Sequence, residues 1–301
     1  MRKSVIPGFE KTQNCKVRYD ANLSLPNLAK LRANRSNPPF DVVLMDEAII
    51  LLAGQEDLLT PVKQANIPNM AKLAPSAIMR DGLWVTIMNP AVSIAYNTRL
   101  VKEGVSSWLD LWNPNFRERV LIPHPKTTQA PCLIAMAAHF ETGKPLNDAQ
   151  YDLDAGFKRL KEIKPNLLQA FIASAEAMPL LEQGEAWVAA GFFTGNTLPR
   201  KAAGAPVELA RPKEGSFAFP RGAGKVKNSP SPELADAWID WCLTPDIQMV
   251  FQRDFYGAPT NTAVPVDPSL VATKDLLQVD WAWYSARLTE ISDRFDREIV
   301  R

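Results

Sequence analysis

The chain is 301 residues long, 46% hydrophobic and 22% charged, with a formal net charge of +1. This is ordinary composition for a soluble globular protein, and the length fits one large domain or two modest ones. A nucleic-acid partner is excluded at this level, because there is no basic stripe; even the densest charged run, Arg117-Glu118-Arg119, is interrupted by an acid.

The predicted elements begin with residues 40–45, an apolar run rich in Val between Pro38-Pro39 and Asp46-Glu47. That is the pattern of a buried parallel strand running into a helix. Residues 93–96 read as another strand, ended by Asn97. Ser106 or Ser107 caps a short amphipathic helix carrying Trp108, Leu109 and Leu111, which Pro114 stops. A short strand over 120–122 leads through His124-Pro125-Lys126-Thr127-Thr128-Gln129 into a helix over 130–140. A helix over 148–164 turns Tyr151, Leu153, Phe157 and Leu160 inward, and another over 176–183 ends at Gly184. Strands follow over 186–193 and 207–210. Two helices, 232–243 and 247–255, flank Thr244-Pro245-Asp246, and 279–299 is a final amphipathic helix. Strands alternating with helices imply an α/β fold with largely parallel sheets.

Several chemistries lack their markers. The chain has no G-x-G-x-x-G, no P-loop, no H-E-x-x-H and no G-x-S-x-G. The three cysteines, Cys15, Cys132 and Cys242, are far apart and form no C-x-x-C, and only His124 and His139 offer imidazole. A zinc site, any other metal site and a disulfide framework are therefore not expected, and no cofactor is implied. No stretch approaches the roughly 20 apolar residues that span a bilayer. The basic start, Met1-Arg2-Lys3, is not followed by the apolar stretch of a signal peptide. An export signal was removed or lies upstream, or the protein is not exported.

Several segments, in order, resemble the extracellular solute-binding proteins of ABC importers, in particular the spermidine/putrescine-binding family. Phe40-Asp41-Val42-Val43-Leu44-Met45-Asp46 is similar to that family's strand after a helix. Leu58-Leu59-Thr60-Pro61-Val62 with Ile67-Pro68-Asn69-Met70, Ser107-Trp108-Leu109-Asp110-Leu111-Trp112, Pro212-Lys213-Glu214-Gly215 and Tyr256-Gly257-Ala258-Pro259-Thr260-Asn261 resemble further family segments. The resemblance implies a two-lobed type II periplasmic-binding-protein fold, each lobe a mostly parallel sheet flanked by helices, with a solute held in an inter-lobe cleft by hinge closure. It places lobe 1 at 1–94 plus 213–264, lobe 2 at 95–212, and a helical segment packing back at 265–301, with the crossings near 92–97 and 208–215. It also implies a strand and glycine-containing loop before the first helix, whereas Met1 here falls inside that helix. A periplasmic or cell-surface location, an ABC permease of the inner membrane as partner, a monomeric state and a non-catalytic role come with the same resemblance.

The departures from the polyamine binders bear on the ligand. The resemblance sets Pro125, Thr128 and Arg221 where the polyamine binders carry acidic residues, and Phe193 where they carry a cleft tryptophan. An unpaired arginine beside a dication is costly, so an anionic or zwitterionic solute is expected. Thr127, Thr128 and Gln129 open a helix, whose free N–H groups favour an anion; the two threonines serve equally as helix caps. Lys126 adds positive charge, and Arg221 either grips an anion bidentately or is a surface residue. Asp46 and Glu47 either meet an amine or, for Asp46, cap the following helix. Phe193, Phe219 and Tyr256 either wall the cleft or belong to the core, and Asn89 is a hydrogen-bonding residue or part of a turn. Polyamine binding by the same fold is the alternative. An enzyme using His124 with Glu176, Glu182 or Glu185 is the alternative from another class, without a nucleophile or metal to support it.

Overall fold

A computed structural model describes residues 1–300. Its eleven strands, in chain order, are β1 Val42–Asp46, β2 Leu59–Thr60, β3 Ile78–Met79, β4 Trp84–Met88, β5 Ala91–Asn97, β6 Val120–Pro123, β7 Leu167–Phe171, β8 Val188–Phe193, β9 Val207–Leu209, β10 Phe217–Ala218 and β11 Arg221–Val226. The chain divides into two compact units. The first comprises Met1–Pro90 and Phe219–Thr273, the second Ala91–Ala218 and the residues from Lys274 onward. The chain therefore changes unit at Pro90–Ala91, at Ala218–Phe219 and at Thr273–Lys274, and the C-terminal region is shared between the two.

In the first unit the strand order is β1-β11-β4-β3, with β2 also on β11. Every pairing in this sheet is antiparallel, which corrects the expectation of a mostly parallel sheet. The cause is connectivity: β11 returns from the other unit and runs back between β1 and β4. It carries Gly222 and Gly224 because a β-carbon at 222 would lie 2.7 Å from Trp84 and 3.0 Å from Ile50, and one at 224 would lie 3.0 Å from Leu59 and 3.2 Å from Ile50. Bare backbone there lets the helix Glu47–Gln55 lie close on the sheet. On the other face, Ile6 and Phe9 of the helix Ile6–Gln13 pack with Trp238, Ile239, Cys242, Ile247 and Phe251 of the helices Pro232–Leu243 and Pro245–Phe255. Phe9 meets Trp238 edge-on, ring centres 4.9 Å apart. That side also holds a buried ion pair, Lys225 Nζ to Asp236 at 2.7 Å, with Asn66 on the second carboxylate oxygen.

The second unit has the order β10-β5-β8-β6-β7, with β9 also on β5. Here β6 is parallel to both β7 and β8, while β5 is antiparallel to β8, β9 and β10. Parallel pairing thus survives only where helices make the crossovers. The helix Ala130–Thr142 lies against Leu153–Lys161, close enough that a β-carbon on Gly156 would stand 3.0 Å from the Ile134 carbonyl. Ala95, Leu121, Phe171, Met178, Leu181 and Phe192 form the core on one side. The single helix expected over 279–299 is broken into Trp281–Ser285, Leu288–Phe295 and the wider turn Asp296–Val300. The first break falls at Arg287, whose guanidinium lies over Trp283 at 4.4 Å and donates to its carbonyl.

Candidate functional site

The C-terminal ends of β1 and β4 and the start of β11 share one end of the first sheet, because β11 is antiparallel to both. The chain also leaves the first unit at this end. Asp46, Glu47, Asn89 and Arg221 gather here. Asp46 and Arg221 stand opposite each other on the ladder, and Arg221 Nη2 lies 3.7 Å from the Asp46 carboxylate. Asp46 sits at the N-cap position of the helix Glu47–Gln55 but makes no capping bond with its side chain. Its backbone N–H donates to Ser24 Oγ at 3.2 Å.

Glu47 is the unusual group. It is the first helical residue, its N–H donates to the Pro220 carbonyl at 3.0 Å, and its carboxylate has no hydrogen-bond or ion-pair partner among the described residues. Burial without compensation pushes the Glu47 carboxyl up to about 7. A half-buried, unpartnered carboxylate is where an arriving ammonium gains most. Asn89 is buried and forms a backbone bridge with Ala258; its side-chain nitrogen donates to Thr273 Oγ1 at 3.5 Å while its oxygen has no partner. Tyr256 follows the helix Pro245–Phe255 in the left-handed region, φ 53°, and the next residue, Gly257, lies against Met88. Phe219 is fully buried, its N–H on the Pro90 carbonyl.

The aim of Arg221 depends on a residue that sequence reading misses. Arg221 pairs with Met88 and Gly222 with Thr86, so Ile87 is an extra residue on β4. Bulges of this kind redirect neighbouring side chains. The Ile87 carbonyl accepts from Nε2 of the buried Gln248 at 2.7 Å, and the same nitrogen donates to the Cys242 carbonyl. Gln248 Oε1 accepts from the Thr260 N–H at 2.8 Å. A glutamine inside an apolar helix face was its only sequence signal.

In the second unit the remaining candidates lie where β6 and β8 end. These strands are parallel, so the loop after Pro123 and Phe193 at the end of β8 share one end of the sheet. Lys126 is exposed, and its ammonium has no partner among the described residues. The Thr127 hydroxyl donates to the His124 carbonyl at 2.7 Å, so it closes a turn and does not cap the helix. Thr128 is half-buried, and its N–H and hydroxyl are unengaged among the described residues. Gln129 is the N-cap residue of the helix Ala130–Thr142, buried, with no capping bond from its side chain. Its N–H is likewise unengaged. Gly191, φ +76°, sits in a bulge where Ala190 and Gly191 face the single residue Ile94. A β-carbon there would meet Pro123 at 2.8 Å and Gln129 at 3.2 Å, so glycine makes the space in which the loop settles. Phe193 is half-buried, at the start of the helix Thr194–Ala202.

The groups considered for acid–base chemistry are scattered or committed. Glu176 and Glu185 are exposed, and Glu182 pairs with Arg200 at 3.4 Å. Both ring nitrogens of His124 are occupied, by the Lys126 N–H and by Asp296. Among the described residues no group of three or more His, Cys, Asp or Glu is arranged to hold a metal ion. No helix is long and apolar enough to cross a membrane.

The family model of the bacterial extracellular solute-binding proteins matches residues 37–286. The chain belongs to this family. It is the solute-binding subunit of an ABC transporter, and its fold is the type II periplasmic-binding-protein fold. Among relatives, a Salmonella typhimurium protein named "Putative 2-aminoethylphosphonate-binding periplasmic protein" is 24% identical over 282 residues, covering 92% of this chain and 79% of that one. The spermidine/putrescine-binding periplasmic protein of Escherichia coli is 24% identical over 268 residues, covering 86% and 74%. A crystal structure of an ABC transporter protein from Clostridium perfringens superposes with a TM-score of 0.83 at 19% identity, covering 99% of this chain and 95% of that one. Membership implies a small-molecule ligand and an ABC permease as partner, and the named relatives are periplasmic proteins.

Proposed function

We propose that this solute-binding protein carries a small zwitterion with one ammonium and one phosphonate or carboxylate group, a 2-aminoethylphosphonate-like compound, and releases it chemically unchanged. The observation that carries this reading is the pairing of opposite charges at one sheet end: Arg221 facing Asp46, with the unpartnered Glu47 beside them. Glu47 takes the ammonium, and Arg221 takes the anionic group bidentately. Asn89, at the same sheet end, holds a buried side-chain oxygen that has no hydrogen-bond partner among the described residues. In the second unit Lys126 and the unengaged N–H groups of Thr128 and Gln129 are donors of the kind an anionic group takes at a helix start. The name of the Salmonella relative supports the same ligand class. The protein acts as a periplasmic or cell-surface monomer, without nucleic acid and without catalytic turnover.

The test is a thermal-shift and calorimetric panel of 2-aminoethylphosphonate, inorganic phosphate, glycine, putrescine and spermidine. A ligand at a hundred times its Kd raises stability by about 2.7 kcal/mol. The expected result is a shift with 2-aminoethylphosphonate or glycine that neither diamine nor phosphate matches. A shift with putrescine or spermidine alone would replace this reading with polyamine binding, and recovery of a chemically altered compound would replace it with catalysis.

A further inference from the structure

His124 joins the 124–129 loop to its surroundings through both its ring and its main chain. Its Nδ1 accepts the Lys126 N–H at 3.0 Å. Its carbonyl accepts both the Thr127 N–H, at 2.8 Å, and the Thr127 hydroxyl, at 2.7 Å. Its own N–H donates to the Phe171 carbonyl on β7 at 2.9 Å. On the far side of the ring, Nε2 lies 2.7 Å from Asp296, and the ring packs edge-on against Phe295 with centres 5.1 Å apart. The side chain is 7% exposed.

One tautomer satisfies this set. Because Nδ1 faces an N–H donor it must carry a lone pair, so the proton sits on Nε2 and is donated to the Asp296 carboxylate. The turn through Thr127 then has its first residues fixed, and the chain reaches Thr128 and Gln129 with their N–H groups left over. We infer that His124 is a positioning residue for anion recognition. It is clamped from behind by Asp296, and it winds the loop so that the Thr128 and Gln129 N–H groups stay unpaired for an anionic group. The C-terminal segment Asp296–Val300 thereby becomes part of the binding machinery. This inference rests on the reading that the loop meets the solute's anionic end.

Two substitutions separate the ring's two jobs. His124→Asn sets an oxygen where Nδ1 stood but cannot reach Asp296; His124→Gln reaches toward Asp296 but offers no acceptor at the Nδ1 position. Nitrogen-15 NMR of the ligand-free protein should show Nδ1 of His124 unprotonated and the Lys126 amide protected from exchange. His124→Asn should keep that protection and bind 2-aminoethylphosphonate nearly as wild type does. His124→Gln should lose it and bind at least about tenfold more weakly, the scale of a lost hydrogen bond to a charged group. A protonated Nδ1 would overturn the inference, as would wild-type Lys126 protection and affinity in His124→Gln. If the wild type ignores 2-aminoethylphosphonate, the ligand assignment fails, and the ring and amide signals still decide whether His124 holds the loop.

Discussion

Glu47→Gln should make the ligand-free protein more stable above neutral pH while weakening its grip on an ammonium. Burial raises the folded-state carboxyl from 4.5 to about 7. The folded protein therefore holds a proton that the unfolded chain has released, and stability falls as pH rises from the unfolded value through the folded one. Above that window the full penalty is present, about 3 kcal/mol for a displacement of this size. Glutamine removes the charge and hence the penalty. At about 1 kcal/mol for each 2–4 °C in a unit of this size, Tm should rise by roughly 6–12 °C near pH 8 and hardly at all near pH 4.5. Urea titrations at the two pH values, with matched ionic strength, measure the difference directly. Calorimetry near pH 8 should then show 2-aminoethylphosphonate binding weakened. A gain that is equal at both pH values would mean that the amide simply packs better. A loss at high pH would mean that the carboxylate is solvated or paired, and the site argument built on it would fall.

Two further predictions separate binding from folding. Arg221→Ala removes an exposed pair at 3.7 Å, side chain 44% accessible, whose stability contribution is at most about 1 kcal/mol. Calorimetry should show anion affinity falling by tenfold or more, about 1.4 kcal/mol, with Tm nearly unchanged; unaltered affinity would remove Arg221 from the site. Lys225→Met strands Asp236, which is 6% exposed, and should cost about 3–5 kcal/mol in urea denaturation. Joining it with Asp236→Leu should recover most of that loss, and a double variant as unstable as the single one would show that the pair contributes to stability in its own right.

How much of this was legible in the sequence depends on the range of each interaction. β1 was readable because Val42, Val43, Leu44 and Met45 form one apolar run between breakers, and the helices 130–142 and 232–243 because their apolar faces are local. β11 was not. Arg221-Gly222-Ala223-Gly224-Lys225-Val226 shows no alternation, since two positions are glycine to admit Ile50 and Trp84, residues distant in the chain. Its antiparallel return made the parallel-sheet expectation wrong for the first unit, because pairing direction follows the route of the chain and not the composition of a strand. The site divides the same way. Asp46 and Glu47 were visible as acids at a strand end, whereas Arg221 was singled out only through resemblance. Gln248 acts on a carbonyl 161 residues away, and His124 on a carboxylate 172 residues away; no local pattern encodes either.

The choice between a zwitterion and a diamine comes down to uncompensated charge. A diamine brings two positive charges and needs two carboxylates that nothing else neutralises. At the end of the first sheet, Asp46 already faces Arg221, so only Glu47 remains, and burial pushes its carboxyl up to about 7. A second ammonium would enter beside Arg221 with no acceptor of its own, and an uncompensated charge in a desolvated site costs several kcal/mol. A zwitterion reverses each sign: its ammonium ionises Glu47, and its anionic group occupies the guanidinium. Binding should then release a fraction of a proton near pH 7, seen as a dependence of calorimetric heat on buffer ionisation enthalpy. No such dependence would mean that the ammonium is held elsewhere.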